Sequence, residues 1–191
     1  MTLSATLTPP SHPIARLPGE WEEHVVAFGE PAYRGKQIFD WIHRQGVADP
    51  DEMSNLPKSL RARLREEGSG WPIGIVSAHE SSDRTKKLLL GMQDGEKVET
   101  VLIPQLGDPR VVTQCISSQV GCAMGCVFCA SGLDGVDRNL TTGQITEQML
   151  LLQQLLPSDE RLSHIVVMGM GEPLANLANL LPALDTAGRL G

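Results

Sequence analysis

The hydrophobic positions divide the chain into a helical first part and a second part in which strands alternate with helices. Apolar residues recur at helical spacing in two segments, which carry Ile38, Trp41 and Ile42 and then Leu60 and Leu64. Gly46 ends the first segment, and Pro57 begins the second. The pattern predicts a small helical domain over residues 17–70. Residues 1–16, rich in Ser, Thr and Pro, are predicted to form a disordered tail.

From Ile73 onward the apolar period changes to two, which is typical of strands. The predicted strands are Ile73–His79, Lys86–Met92, Lys97–Ile103, Arg110–Ser117 and His164–Met168. Asp94-Gly95 predicts a hairpin between the second and third strands. The last strand is continuously apolar, as in strands buried on both faces.

Two further helices are predicted between and after the last strands. The first begins at a capping box, Thr141–Gln144, and the second begins near Asn176. Their apolar positions are Ile145, Met149, Leu152 and Leu156, then Leu177, Leu180, Leu181 and Leu184.

The predicted fold class is α+β to α/β: a helical accessory domain followed by the start of a (βα) barrel over residues 71–191. In such barrels the loops after parallel strands meet at one mouth. The loop after Arg110–Ser117 should therefore lie beside the loop Gly169–Leu174. Two βα units cannot close a barrel, so we expect an unpaired sheet edge and a fragment of a longer fold.

Composition limits the classes of partner. The 191 residues carry a net charge of −7, which argues against a general electrostatic binder of nucleic acid. A local basic set leaves either an RNA-binding patch or an ordinary solvated face open: Lys58, Arg61, Arg63, Arg65, Arg84, Lys86 and Lys87. No segment has the length of a membrane span, so we expect no membrane association. Unpaired cysteines indicate a reducing cytoplasm.

The most specific chemical signal is the spacing of Cys122, Cys126 and Cys129. Three thiolates from one short loop can hold a [4Fe–4S] cluster and leave one iron open for another ligand. A structural zinc site would require a fourth ligand, which only Cys115 could supply. A disulfide framework would require an even, dispersed set of cysteines in a small secreted chain. The spacing favours the cluster over both alternatives.

Three other segments carry candidate chemistry. Gly169–Leu174 places Glu172 among small residues, where it could bind an ammonium group or belong to an ordinary turn. Glu99 shares a strand face with Val101 and Ile103, which predicts partial desolvation suited to a general base; an edge position in water is the alternative. Cys115 is either a small buried hydrophobe or a thiol directed toward the cluster loop.

Taken together, these motifs resemble the radical SAM adenine-C2 RNA methyltransferases, the family of ribosomal RNA large-subunit methyltransferase N. The matching segments, in the family's order, are residues 33–42, 53–57, 98–104, 115–122, 138–140 and 169–174. The resemblance implies a methyltransferase that transfers a methyl group to C2 of adenine in 23S ribosomal RNA, with tRNA left open as a second substrate. It also implies an electron donor such as flavodoxin.

The resemblance assigns roles to individual residues. Cys122, Cys126 and Cys129 would hold the [4Fe–4S] cluster, whose open iron binds S-adenosylmethionine (SAM). Gly171 and Glu172 would contact SAM. Glu99 would remove the C2 proton of adenine. Cys115 would release the product from a covalent protein–RNA adduct by forming a transient disulfide. The helical domain would help to engage RNA.

One required group is not found among the 191 residues. In the family a cysteine near the C-terminus carries the methyl group, and its counterpart would lie beyond Gly191. A chain ending there should not turn over. A different radical SAM enzyme and a non-catalytic RNA- or cluster-binding module are the alternatives that the sequence leaves open.

Overall fold

The computed structural model describes residues 13–68 and 73–188, which form an α+β fold. Its helices are α1 (Pro18–Ala27), α2 (Tyr33–Phe39), α3 (Lys58–Glu66), α4 (Thr142–Gln154) and α5 (Leu177–Gly188). A π-helical turn, Asp40–Arg44, continues α2. Short 3-10 turns are formed by Pro13–Ala15, Pro50–Glu52, Ala130–Gly132 and Pro173–Asn176. None of the helices in the described part of the chain combines the length and the apolarity that crossing a bilayer requires.

Seven strands form two sheets. They are β1 (Gly74–Glu80), β2 (Lys86–Gly91), β3 (Lys97–Gln105), β4 (Asp108–Cys115), β5 (Gln119–Gly121), β6 (Val136–Asn139) and β7 (Arg161–Val166). The main sheet has the order β1-β2-β3-β4-β7, and β5 pairs with β6 in a small second sheet. The sequence did not predict β5 or β6, because each has only three or four residues.

The main sheet is mixed, and its parallel part confirms the predicted βα rhythm. Strands β1 to β4 are antiparallel neighbours, with the predicted Asp94-Gly95 turn between β2 and β3. Strand β7 pairs parallel to β4 because α4 carries the chain back across the sheet. The segment β4-α4-β7-α5 therefore contains the two predicted βα units.

The prediction that the last strand is buried on both faces is wrong. In β7 the side chains of Arg161 and His164 are exposed and the other four are only partly buried. Within the described chain, β7 is the last strand of the sheet, so its outer edge has no neighbouring strand. Its apolar sequence therefore reflects one covered face and not two.

The helical region has its own hydrophobic core, centred on Trp21, which is fully buried. Other buried members are Val25, Ile38, Phe39, Ile42, Met53, Leu56, Leu60 and Leu64. Ile14 also belongs to this core, with 1% of its surface exposed, and it lies in the turn Pro13–Ala15. The predicted tail of residues 1–16 is therefore wrong at its end, because Ile14 is held by apolar packing; residues 1–12 lie outside the described residues.

Helix α4 joins the helical region to the sheet. Ile145, Met149 and Leu152, three positions of the predicted stripe, pack in the core of the sheet. Leu150, on another side of the same helix, packs in the helical core. A helix that is apolar on more than one side is buried between two layers, so α4 is the shared wall of both cores.

Candidate active site

The loops that follow β4 and β7 meet at the carboxyl ends of these parallel strands, as the sequence predicted. The amide of Gly169 donates to the carbonyl of Ile116 at 3.0 Å, and the amide of Gln119 donates to the carbonyl of Met170 at 3.2 Å. The Met170 amide donates to the Ser117 hydroxyl at 2.8 Å. The loop containing Glu172 is therefore bonded directly to the segment that leads into the cysteines.

Gly171 and Glu172 are held on Gln119. The amide of Glu172 donates to Gln119 Oε1 at 2.8 Å, and Gln119 Nε2 donates to Asn139 Oδ1 at 2.7 Å. Glu172 Oε1 accepts a hydrogen bond from the Leu174 amide at 3.1 Å and so caps the turn Pro173–Asn176. A carboxylate has about four acceptor positions, so this cap leaves Glu172 able to accept from a ligand as well.

Gly171 needs to be glycine for two reasons. Its φ is +99°, and a Cβ at this position would lie 2.6 Å from Gln119 Cβ and 2.7 Å from the Gln119 amide nitrogen. Gly107, at the turn between β3 and β4, has a similar φ of +92° but nothing within 4 Å of its Cβ position. The two glycines therefore share the backbone requirement and differ in the space around them.

We expect Gly171→Ala to lower the free energy of unfolding by about 1–3 kcal/mol more than Gly107→Ala, because overpacking adds to the backbone strain common to both. Urea denaturation of the two variants, followed by circular dichroism, measures the difference. Equal losses of unfolding free energy in the two variants would show that the Gly169–Leu174 loop can move away from Gln119 without an energetic cost.

The cysteine loop lies at the surface next to the β5-β6 sheet. The Cys122 amide donates to the Gly135 carbonyl at 2.8 Å, and the Cys129 amide donates to the Cys126 carbonyl at 3.0 Å. Cys126 and Cys129 are exposed, Cys122 is partly exposed, and all three are free thiols. Phe128, between the last two cysteines, is 89% exposed. The loop thus presents its sulfurs and an aromatic side chain outward.

The donor set of this loop fits an iron–sulfur cluster in its chemistry. Hydrogen bonds from the Ser131 backbone and side chain lower the pKa of Cys129, which favours the thiolate that binds iron. In residues 13–68 and 73–188 no three His, Cys, Asp or Glu side chains are already gathered closely enough to hold a metal ion. The three sulfurs are therefore not arranged as a metal site in the described residues.

Glu99 and Cys115 share one face of the main sheet. Cys115 is paired with Val101, two residues from Glu99 on β3, and paired residues project to the same face. The opposite face carries Val98, Thr100 and Leu102, all buried in the protein. The two predicted catalytic side chains are therefore diagonal neighbours on adjacent strands.

The structure corrects the expected environment of Glu99. Its side chain is 45% exposed and forms an ion pair with Lys87 Nζ at 2.8 Å. Val101 and Ile103 do not desolvate it because this face of the sheet is open in the described chain. The predicted desolvation is therefore wrong. Glu99 reaches water as in the alternative interpretation, but from β3, which lies between β2 and β4, and not from an edge strand.

Cys115 is buried, with 8% of its surface exposed. Burial raises the pKa of its thiol, and a hydrogen bond with the Met168 backbone partly opposes this effect. The thiol is therefore mostly protonated at neutral pH, which protects it from indiscriminate oxidation. Thr100 Oγ1 donates to the Cys115 carbonyl at 2.7 Å and fixes its backbone.

Cavities occur beside the site and away from it. A cleft of about 330 Å³ is lined by the β2-β3 turn, by Gly121 and Ser131 on either side of the cysteines, and by Met170 of the Glu172 loop. A larger cavity of about 410 Å³ lies between α4, α5 and β7. Neither is lined by a predicted site residue, but the cleft contains residues next to those of the site, whereas the larger cavity does not.

Sequence reasoning missed four residues that build this site: Lys87 as the partner of Glu99, Gln119 under Gly171, Ser117 between the loops, and Gln148 on α4. Lys87 had been noted only as part of a basic set. Gln148 is fully buried. Its Oε1 accepts from the Ser117 backbone amide at 3.0 Å, and its Nε2 donates to the Ser117 carbonyl at 3.1 Å. A polar residue inside the apolar pattern of α4 was the available signal for it.

Comparisons with known proteins agree with this geometry. The family model described as "Ribosomal RNA large subunit methyltransferase N-terminal domain" matches residues 19–68. The probable dual-specificity RNA methyltransferase RlmN of Rhodopirellula baltica is 55% identical over 159 residues, which cover 83% of this chain and 42% of that protein. The dual-specificity RNA methyltransferase RlmN of Sorangium cellulosum is 45% identical, covering 87% of this chain and 51% of that protein.

A solved structure of a radical SAM methyltransferase is also similar to this chain. The crystal structure of a radical SAM methyltransferase from Sphaerobacter thermophilus matches with a TM-score of 0.84 and 39% sequence identity. The match covers 92% of this chain and 51% of that one. The chain therefore spans about half the length of the relatives that it matches.

Proposed function

From its correspondence to the N-terminal portion of the RlmN-type radical SAM RNA methyltransferases, we propose that this chain supplies the cofactor-binding half of an enzyme that methylates C2 of adenine. The substrate would be 23S ribosomal RNA, with tRNA as a second substrate. One observation carries the proposal. The cysteine loop and the Glu172 loop follow adjacent parallel strands, beside the sheet face that bears Glu99 and Cys115.

Separate residues would bind the two cofactors. Cys122, Cys126 and Cys129 would hold a [4Fe–4S] cluster, and Gly171 and Glu172 would contact SAM. When bound, these groups would supply a reductive, radical route to a carbon that ordinary methyl transfer cannot reach, because adenine C2 is electron-poor. A flavodoxin-like protein would donate the electron, in the cytoplasm.

Glu99 and Cys115 would act after a new carbon–carbon bond joins the RNA to a methyl-carrying cysteine in the C-terminal half. Glu99 would accept the C2 proton. The Cys115 thiol would then lose its proton, and its sulfur would attack the sulfur of the second cysteine to form a disulfide. The electron pair of the broken carbon–sulfur bond would stay on the product carbon, which would take up a proton to become the methyl group. Because Glu99 and Cys115 lie on one face of adjacent strands, both side chains could act in turn on the same adenine.

The helical region would form an accessory domain over residues 17–70 that engages RNA, and residues 71–191 would form the first part of the barrel. Several basic side chains of the helical region already form bonds within the protein. Arg65 pairs with Asp51, and Arg61 and Arg63 donate to the carbonyls of Asp51 and Phe28. These bonds leave fewer free cations on α3 for contact with RNA phosphates.

Methylation by a completed chain tests this function. With the matching C-terminal half of a relative supplied, we expect mass spectrometry of a ribosomal RNA fragment to detect C2-methyladenine. Cys126→Ala should abolish product and adduct alike, since it removes a cluster ligand. Cys115→Ala should stop product but accumulate a covalent protein–RNA adduct. Full product from either variant would overturn the corresponding role.

A further inference from the structure

Ser117 stands at the centre of the site, and the function proposed above gives its side chain no role. It is fully buried and lies two residues after the end of β4. Its hydroxyl donates to the Glu99 carbonyl at 2.5 Å and accepts from the Met170 amide at 2.8 Å. One hydroxyl therefore connects the strand of the proposed base with the loop of the proposed SAM contacts.

The direction of these two hydrogen bonds is fixed. A backbone amide can only donate and a carbonyl can only accept, whereas a serine hydroxyl has one proton to give. The Ser117 proton must therefore point to Glu99, and its lone pair must face Met170. A side chain without a hydroxyl would leave the partly buried Met170 amide and Glu99 carbonyl each short of one bond.

The position of Ser117 is itself held from α4. Gln148 accepts from the Ser117 amide at 3.0 Å and donates to the Ser117 carbonyl at 3.1 Å. Gln114 Nε2 donates to the Gln148 carbonyl at 3.0 Å, which adds a further link between β4 and the helix. A group held in this way by buried hydrogen bonds keeps its geometry better than a group on a free loop.

We propose that Ser117 is a positioning residue that fixes the Glu172 loop relative to the backbone of Glu99. SAM seated on the loop and the carboxylate that removes the adenine proton would then keep a constant separation. The catalytic part of this inference rests on the proposed function, whereas the mechanical link can be tested on the chain by itself.

The neighbouring residue provides a matched control. Ser118 is 1% exposed, yet its hydroxyl has no hydrogen-bond partner among the described residues. Ser117→Ala and Ser118→Ala therefore remove the same atom from equally buried positions. Only the first removes hydrogen bonds.

Hydrogen exchange by NMR on the 191-residue chain tests the link without any cofactor. In Ser117→Ala we expect the Met170 amide to exchange about tenfold faster, the equivalent of one lost hydrogen bond, and the ¹³C signal of the Glu99 carbonyl to shift. Ser118→Ala should change neither signal. An unprotected Met170 amide in the unmodified folded chain would overturn the link even if Ser117→Ala failed to fold.

The completed chain tests the catalytic part. Because Ser117→Ala loosens the loop and the base strand relative to each other, the KM for SAM should rise and RNA product per SAM cleaved should fall by about tenfold. Ser117→Thr, which keeps a hydroxyl, should recover the product ratio. Equal losses of SAM cleavage and RNA product in Ser117→Ala would indicate a purely structural role. Absence of product from the unmodified completed chain would refute the proposed function and leave the exchange result standing.

Discussion

Glu147→Gln should stabilise the chain by several kcal/mol at alkaline pH. Glu147 lies on α4 with no exposed surface, and its Oε1 accepts from the Ile73 amide at 2.9 Å. Among the described residues Oε2 has no partner. Desolvation raises the pKa of Glu147 to about 8, from an ordinary value of 4.5, although the hydrogen bond from Ile73 partly opposes the rise. The folded chain therefore holds a proton that the unfolded chain releases.

The sign of the pH dependence follows from this difference. Between pH 4.5 and about pH 8 the folded state binds more protons at Glu147 than the unfolded state, so the free energy of unfolding falls as pH rises. The loss is on the order of 4 kcal/mol, since each unit of pKa difference corresponds to about 1.4 kcal/mol. Glutamine keeps the acceptor for Ile73 and cannot ionise, so its variant should lack this slope.

Urea denaturation at pH 5, 7 and 9 measures the slope. Glu66→Gln, at an exposed position of α3, serves as the control and should leave the slope of the unmodified chain unchanged. An equal decline in the Glu147→Gln variant would mean that other groups cause it. Below pH 6.5 a separate loss is expected from His43, because burial lowers its pKa to about 4 and the folded state resists its protonation.

Glu99→Gln should cause a large loss of catalysis in the completed chain. Glutamine keeps the size of the side chain but cannot accept the adenine C2 proton. General bases contribute roughly 10²–10⁴-fold, so RNA product should fall by about that factor. Methylation of the carrier cysteine and cleavage of SAM both precede proton removal and should persist, so a covalent protein–RNA adduct should accumulate.

Glu80→Gln is the matched control for this experiment. Glu80 is a strand carboxylate that pairs with Lys86 at 3.7 Å, much as Glu99 pairs with Lys87. Its loss should leave product formation unchanged. Product from Glu99→Gln within about threefold of the unmodified enzyme, far from the effect of losing a general base, would show that Glu99 is only a strand residue with a surface ion pair.

The sequence predicted the elements whose pattern is long or chemically marked. The capping box at Thr141 gives the observed start of α4, and the Asp94-Gly95 turn joins β2 to β3. Parallel pairing of β4 with β7 followed from the order of strand, helix and strand. These features depend on local chemistry and on chain connectivity, which a sequence displays directly.

The features that were missed depend on partners distant in the sequence. The burial of β7 was overestimated because an apolar strand does not show how many of its faces are covered. The Ser, Thr and Pro content of residues 1–16 predicts a tail that includes Ile14, although the helical core holds it. Gln148 and Ser117 acquire their roles only when α4 packs on β4, 31 residues apart in sequence. Motif spacing identified the cysteines, but the supporting hydrogen bonds required the fold.

Anaerobic reconstitution of the 191-residue chain tests whether Cys122, Cys126 and Cys129 hold a cluster with one iron open to SAM. Three thiolates suffice for a cubane, so we expect one [4Fe–4S] cluster per chain, with a reduced-state EPR spectrum that changes on addition of SAM. Cys126→Ala should remove the cluster, and Cys115→Ala should leave it intact. Stoichiometric zinc binding without iron uptake would refute the cluster, and an EPR spectrum indifferent to SAM would refute the open iron.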